Sequence, residues 1–535
     1  MKRYLTKLGL IALLAVMLPC NAAAQPSDKN LYSFDYIKNS NGWLTSYNAA
    51  GLCVLPVQSI SIAEAYANKS NGDFINYYQS NNSYNIGAQT ESFLRIGEKV
   101  FTYGKLSYDN FRGENMGGSV FIDPYFSSFN IVEMSDTTYG RKSKEMYHLV
   151  GGVGYDFGKG FRIGGKVDYT TGNYAKAKDL RHTNFLLDMI VTAGVSYQIG
   201  NVLDIGVNYL YRRNIESLDF EIYGTTDKFY YTLIDFGAFY GQREQSGERG
   251  YSNQSDKMPS VSIFNGASLQ LDFTLSQKAH WFNEFSYRAR NGYYGKKSEN
   301  SITYIEDNGM ELDYSGLLSL DSKSSLHTVK LSASYKHLVN NENIYQENSV
   351  GGRTTISYFG SNEVLDRTTV NGNIEYTANL GVNSYMPKWI IKAGADGFYR
   401  YLTTSIYPFY RKQNVLSVNT YLTGHYNIIK DKDIYGFTLG AGYGFGGGTM
   451  FEDGTYVAVT NQKVPRTAEY ALQREYEYLT ANRLNASAAL RYSRFFNKGI
   501  TGYAELNYKF KDGLNLMYLK GNTYHSVTLT LGLSF

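Results

Sequence analysis

The chain has 535 residues with 51 Tyr, 29 Phe and 53 Gly but only 8 Pro, and 19% of its residues are charged, a balance that favours strands and tight turns over helices. Its formal net charge is +4, and cleavage ahead of Gln25 would remove Lys2, Arg3 and Lys7 with no acidic residue, leaving +1. A strongly basic binding protein is excluded, and no nucleic acid is expected as a partner.

Residues 1–24 read as a secretory signal peptide: Lys2, Arg3 and Lys7 precede an apolar core from Leu8 to Leu18, and Ala22-Ala23-Ala24 supplies a small-residue cleavage site. Pro19 stands before Cys20 where a lipoprotein signal needs a small residue, so lipidation is not expected. Only Cys53 remains after cleavage, which excludes an intramolecular disulfide and a cysteine metal cluster. Beyond the signal, no apolar run approaches the ~20 residues of a spanning helix. The mean hydropathy of −0.36 decides nothing, because a spanning strand is apolar only at alternate positions.

Residues 25–58 do not alternate. They carry Trp43-Leu44 and the run Asn48-Ala49-Ala50-Gly51-Leu52, then Leu55-Pro56. That run resembles the Asn-Pro-Ala-Gly-Leu element near the N-terminus of long-chain fatty-acid transporter-like barrels, a resemblance that implies a hatch folded inside the barrel. Ala49 stands where that pattern has Pro, so the rigid turn is lost. A periplasmic lead-in to the first strand is the other reading of 25–58.

From Ser59 to Phe535 the sequence predicts an all-β domain, a transmembrane antiparallel barrel. Period-two segments, each long enough to cross on a tilt, fall at 59–69, 83–95, 99–113, 145–157, 161–173, 185–199, 202–214, 261–276 and 279–290. They continue at 302–319, 326–339, 367–379, 388–404, 412–428, 434–446, 479–496, 500–511 and 522–535. That is about 18 strands, and 14 or 16 also fit the pattern. Tight turns such as Gly200-Asn201, Asp431-Lys432-Asp433 and Asn497-Lys498-Gly499 alternate with long links at 114–144, 215–260, 340–366 and 447–478. Short turns on one rim and long loops on the other are the outer-membrane arrangement, and an even count puts both termini on the periplasmic side.

Each strand has an apolar and a polar face. Leu203, Ile205, Val207, Tyr209 and Tyr211 share one face of 202–214, and tyrosines near strand ends form two belts suited to the membrane interfaces. On this register the lumen carries Arg162, Lys166, Asp168, Asp204, Arg212, Glu284, Arg288 and Arg290. It also carries Lys330, Lys336, Lys392, Asp396, Arg400, Arg491, Glu505 and Lys509. In a wet lumen these charges keep their hydration, whereas facing lipid each would cost ~2–4 kcal/mol at the midplane. The surplus of cations either gives a modest preference for anions that fades with salt or pairs with the acids and braces the wall.

The final stretch, Ser526–Phe535, alternates Val527, Leu529, Leu531, Leu533 and Phe535 with small or polar residues. It resembles the C-terminal strand of Gram-negative outer-membrane β-barrels, in which a terminal Phe after alternating apolar residues is recognised during assembly. Leu531, Leu533 and Phe535 are the assembly signal this implies. Taken together, the chain resembles a Gram-negative outer-membrane barrel of a porin-like or fatty-acid-transporter-like family, and no sequence resembling the plug domain of a TonB-dependent receptor precedes the barrel. Its expected partners are membrane lipid, the barrel-assembly machinery and a small solute. No catalytic, cofactor or metal motif stands out, although a barrel hydrolase assembles Ser and His from separate strands in a way spacing does not reveal. Two function classes follow: a passive channel or transporter for a small solute, or a non-conducting barrel acting as a surface or assembly partner through its long loops.

Overall fold

The computed structural model describes residues 32–535 apart from 135–137, 225–227, 247–249, 255–256, 352, 384 and 497–498. The expected signal peptide and part of the Asn497-Lys498-Gly499 turn lie outside the described residues. In chain order the strands begin with β1 (Ser59–Gly72), β2 (Asn82–Ile96), β3 (Val100–Met116), β4 (Asn130–Glu133), β5 (Gly140–Gly158), β6 (Phe161–Lys176), β7 (Arg181–Ile199) and β8 (Leu203–Glu221). Next come β9 (Tyr231–Gly237), β10 (Tyr240–Gln245), β11 (Met258–Ser276), β12 (Ala279–Ser298), β13 (Ser301–Ser322), β14 (Ser325–Val350) and β15 (Arg353–Leu380). The last are β16 (Trp389–Ile406), β17 (Phe409–Lys430), β18 (Asp433–Thr455), β19 (Arg466–Thr467), β20 (Arg483–Phe495), β21 (Thr501–Gly513) and β22 (Thr523–Ser534).

Eighteen of these form one closed antiparallel barrel; β4, β9, β10 and β19 form a separate sheet in the order β19-β10-β9-β4. Each of the eighteen alternating segments overlaps one wall strand. The barrel closes where β1 pairs with β22, from Ile62 opposite Ser534 to Gly72 opposite Tyr524. Ser61 N donates to Phe535 O at 2.7 Å and Phe535 N to Ser61 O at 3.0 Å, so the final residue completes the seam. Deleting Phe535 is expected to lower the yield of barrel with heat-modifiable gel mobility, while Phe535→Ser, which keeps the backbone pair, separates seam closure from any role of the ring. An unchanged yield after deletion would show that the remainder of β22 closes the barrel unaided.

The outer surface is the apolar set the alternation demands: Leu529 is 47% exposed, Leu531 55% and Leu439 71%, so lipid rather than protein must cover them. No helix among the described residues is long and apolar enough to cross a membrane; the strands do so. Turns at 97–99, 159–160, 200–202, 277–278 and 431–432 mark one rim. Lys159 and Gly160 both have positive φ, 56° and 83°, the two-residue geometry whose twist matches the flanking strands. The longest connections, 117–139, 222–257 and 456–482, lie on the opposite, outer rim.

Two expectations need correction there. The link 340–366 is not a loop: β14 and β15 continue through it as a hairpin, with Ser349 opposite Thr354. Residues 479–482 do not belong to a wall strand, because Glu469–Thr480 form a helix, here α2, and β20 begins at Arg483.

Candidate functional site in the barrel lumen

The lumen is occupied from both ends. At the short-turn end, three short helical pieces lie inside the wall: α1 (Phe34–Ser40), η1 (Gly42–Thr45) and η2 (Ala49–Val54). Each is started by a side-chain cap. Ser33 accepts from Tyr36 N, Asn41 from Trp43 N, and Asn48 from Ala50 N, satisfying amides that a helix start leaves unpaired. The Asn48 cap supplies the turn that Pro would otherwise rigidify. Phe34, Ile37, Leu44, Leu52 and Leu55 pack with Ile60, Phe93 and Phe101 of the wall.

The segment is keyed to one arc of the barrel. Asn48 Nδ2 donates to Val195 O and to Gln270 Oε1, both at 2.9 Å, and Lys166 Nζ to Ser46 O at 2.8 Å. Tyr47 N donates to Glu284 Oε1 at 3.1 Å, and Trp43 Nε1 to Asp272 Oδ2 at 3.1 Å. The wall makes room with glycines: a Cβ at Gly164 would overlap the Ala49 backbone, one at Gly194 the Asn48 side chain, and one at Gly206 would stand 2.7 Å from Trp43. Cys53 sits in this seat beside Gly154, and burial, with Asp156 nearby, pushes its thiol up to about 12.

From the outer end, loops that the sequence leaves as surface segments fold inward. Leu233, Ile234 and Phe236 of β9 and Ile131 of β4 are fully buried. One core joins Phe121, Phe129, Phe236 and Tyr251 to wall residues Tyr294 and Val364. A second joins Leu233, Phe239 and Leu472 to Leu365 and Leu402 of the wall. At the β9–β10 turn, Asp235 Oδ1 accepts from Gly237 N at 2.9 Å and Tyr240 N at 3.2 Å. Its carboxyl is pushed up to about 7 by burial and, more weakly, by Glu475.

The sixteen candidate lumen charges all lie on inner-face positions of their strands, and most are engaged. Arg212 pairs with Asp188 at 2.6 Å, Arg290 with Asp307 at 2.8 Å, and Arg400 with Glu475 at 2.7 Å. Arg288 is held by Asp313 and by Glu311, which also meets Lys336 at 3.6 Å. Arg162 meets Asp204 at 3.5 Å, Asp168 meets His148 at 2.7 Å, Lys392 meets Glu375 at 3.5 Å, and Arg491 meets Glu505 at 3.7 Å. Arg290 also donates to Phe126 O, and its guanidinium stacks 5.0 Å from that ring. The arginines thus tie the inward-folded loops to the wall.

Sequence reasoning missed Arg367, which donates to Ser127 O at 3.0 Å, and Arg411, which binds Asp453 and Ala238 O. It also missed Arg483, which reaches the carbonyls of Leu479 and Ala481 at the end of α2. The helix had a readable signal: Ala471, Arg474 and Glu475, all buried, follow the i, i+3, i+4 spacing of a helix face.

The filling leaves two polar cavities open, both bordered by β15–β21. A cavity of about 830 Å³ beside α1 is lined by Glu64, Lys105, Lys330, Lys392, Arg491 and Glu505. A second, of about 500 Å³, lies under α2 and is lined by Asp396, Asn419, Tyr421, Ser487, Lys509 and the C-terminal residues Tyr478 and Leu479 of the helix. The two stack end to end. Along β17, Asn427 and His425 line the first, and Thr423, Tyr421 and Asn419 the second. Among the described residues no group of His, Cys, Asp and Glu is placed to hold a metal ion.

A closed antiparallel wall with an apolar outside, a charged inside and short turns on one rim defines the class of Gram-negative outer-membrane β-barrel proteins. Within that class the chain belongs to a family of unknown function, DUF6850, which it matches over residues 49–535. That span includes η2 as well as the wall. No protein of curated function matches the chain in sequence.

Among solved structures it is similar to the ferric preacinetobactin receptor BauA of Acinetobacter baumannii, at 7% identity over 88% of this chain and 80% of that one, with a TM-score of 0.38. OccAB4 of the same organism matches at 10% identity over 90% and 98% of the two chains, with a TM-score of 0.30. The alcaligin outer-membrane receptor FauA of Bordetella pertussis matches at 10% over 90% and 76%, with a TM-score of 0.33. Similarities this loose carry neither a substrate nor a mechanism across.

Proposed function

We propose that the protein is a gated, non-enzymatic transporter for a small polar solute, whose path follows the arc β15–β21. The observation that carries this reading is the one-sided filling. The hatch-like segment 34–57 is keyed by hydrogen bonds to β6–β12 and packs on β1–β3, while two polar cavities, the first also bordered by β1–β3 and β12–β14, stack along β15–β21 and end beneath α2. An 18-stranded wall is wide enough for an aqueous channel if nothing fills it, so passage is controlled by what occupies the lumen. Leu531, Leu533 and Phe535, on the closing strand, are proposed to serve the barrel-assembly machinery as well as the seam.

The test places a new reporter cysteine in the lumen. In a Cys53→Ser background, a cysteine placed at Thr423, where the two cavities meet, is expected to be modified by a small charged thiol reagent and to slow solute efflux from reconstituted vesicles. A cysteine at the outward-facing Leu422 serves as control and is expected to leave flux unchanged. Equal flux in modified and unmodified Thr423→Cys protein would count against this path, and absence of flux for every solute tried would favour the surface-partner alternative.

A further inference from the structure

At the outer mouth, where the lumenal sheet meets the β6–β7 hairpin, separate chain segments enclose a cavity of about 690 Å³, within the ~300–1,000 Å³ range of small-ligand sites. Five cations line it: Lys178, Arg181, Lys228, Arg243 and Arg466. The single acid among the lining residues is Asp179, which already meets Arg181 at 2.9 Å.

Aromatic rings stand among these cations. Phe229 is 65% exposed and Tyr231 37%, and both line the cavity. The Arg243 guanidinium lies 3.5 Å from the centre of the Tyr231 ring, a stacking that holds the charge in place without neutralising it. Flat apolar faces beside fixed cations suit a ligand with both ring faces and anionic groups.

We propose that this pocket is the outer docking site for an acidic saccharide. Its ring faces lie against Phe229 and Tyr231, and its carboxylate or sulfate groups meet Arg243, Lys228 and Arg466. As the identity of the transported solute, this rests on the transport reading above; as a binding site it does not. Salt must weaken the binding, because the cations are exposed and screened over ~10 Å at 0.1 M.

The experiment is calorimetric titration of the full-length protein in detergent with trigalacturonate, neutral maltotriose and inorganic phosphate. Trigalacturonate is expected to bind at low salt, with affinity falling as salt rises, and to bind at least about tenfold more weakly to Lys228→Glu/Arg466→Glu, since each reversal replaces an exposed attraction with a repulsion. Phe229→Ser, at an exposed ring, is a second variant and is expected to weaken trigalacturonate without changing the salt dependence. The proposal is overturned if trigalacturonate does not bind, if maltotriose or phosphate binds as well, or if both variants bind as the wild type does. Binding without vesicle uptake of trigalacturonate would sink its role as solute and leave the site standing; uptake of other solutes without trigalacturonate binding would sink the site and leave transport standing.

Discussion

Arg400→Ala is expected to unseat helix α2 and convert a closed barrel into a conducting one. Arg400 reaches from the β16 wall to Glu475 through two hydrogen bonds, at 2.7 and 3.2 Å, and donates to Gln413 at 2.8 Å. Both side chains of the ion pair are buried, at 7% and 4% exposure. Removing one partner of such a pair costs about 3–5 kcal/mol, because the other charge is left without water or counter-ion. The helix has little to offset that loss. It has 12 residues, and its N-cap, Ala468, makes no side-chain capping bond; an isolated helix of that length is marginal in water.

The first half of α2 is then held mainly by the burial of Ala471 and Leu472, while its C-terminal end keeps the Glu477 carboxylate, which accepts from the amides of Met517, Tyr518 and Leu519, and Arg483 on its last carbonyls. The variant is therefore expected to show faster proteolysis within 469–480 and a higher single-channel conductance than the parent. Arg400→Met with Glu475→Leu removes both charges, a change that buried pairs often tolerate, and is expected to remain closed. Arg400→Ala protein as closed and as protease-resistant as the wild type would show that the ion pair does not hold the helix.

The second large effect is expected at the other end of the lumen. Valine at Gly164 or Gly194 collides with Ala49 or Asn48. Overpacking of this kind costs about 1–3 kcal/mol where neighbours can shift, and here the neighbours include backbone. The hatch-like segment is expected to leave its seat, giving up the burial of Phe34, Leu44 and Leu52. Cys53 reports the event. Burial raises the pKa of its thiol while it is seated and so disfavours the reactive thiolate, so its labelling rate at pH 8 should rise sharply in Gly164→Val and Gly194→Val. Gly151, where an added Cβ meets nothing within 4 Å, provides the control: Gly151→Val should label as slowly as the wild type. Slow labelling in all three would mean that the seat tolerates side chains.

How much of this was readable in the sequence follows from what produces each pattern. Alternation marks contact with lipid on one side and water on the other, so the strands were found wherever they cross the membrane. The ends at the short-turn rim agree within a few residues: the segments 161–173 and 279–290 begin where β6 and β12 begin. Their outer ends run on to Lys176 and Ser298, because a strand standing above the lipid is held by its ladder and needs no apolar face. The same reasoning explains 340–366, whose Asn, Glu and Gly residues read as a loop and fold as a hairpin. The inward-folded loops were illegible for a different reason. Their cores are completed by wall residues far away in the chain, as when Leu233 and Leu472 meet Leu365 and Leu402. The lumen charges could be placed by parity, but which of them would meet a plug carbonyl, as Arg290 meets Phe126, depends on that distant folding.

Strand length also shapes the surroundings of the barrel. Crossing takes ~9–11 tilted residues, yet β14 and β15 have 26 and 28 residues, while β21 and β22 have 13 and 12. At about 3.4 Å per residue, the taller side exceeds the shorter by some 50 Å of strand. The rim is therefore slanted like a cut reed. A molecule drifting along the membrane surface reaches the lumen at β21–β22 almost without climbing, whereas one arriving from the β14–β15 side must first clear a two-stranded fence.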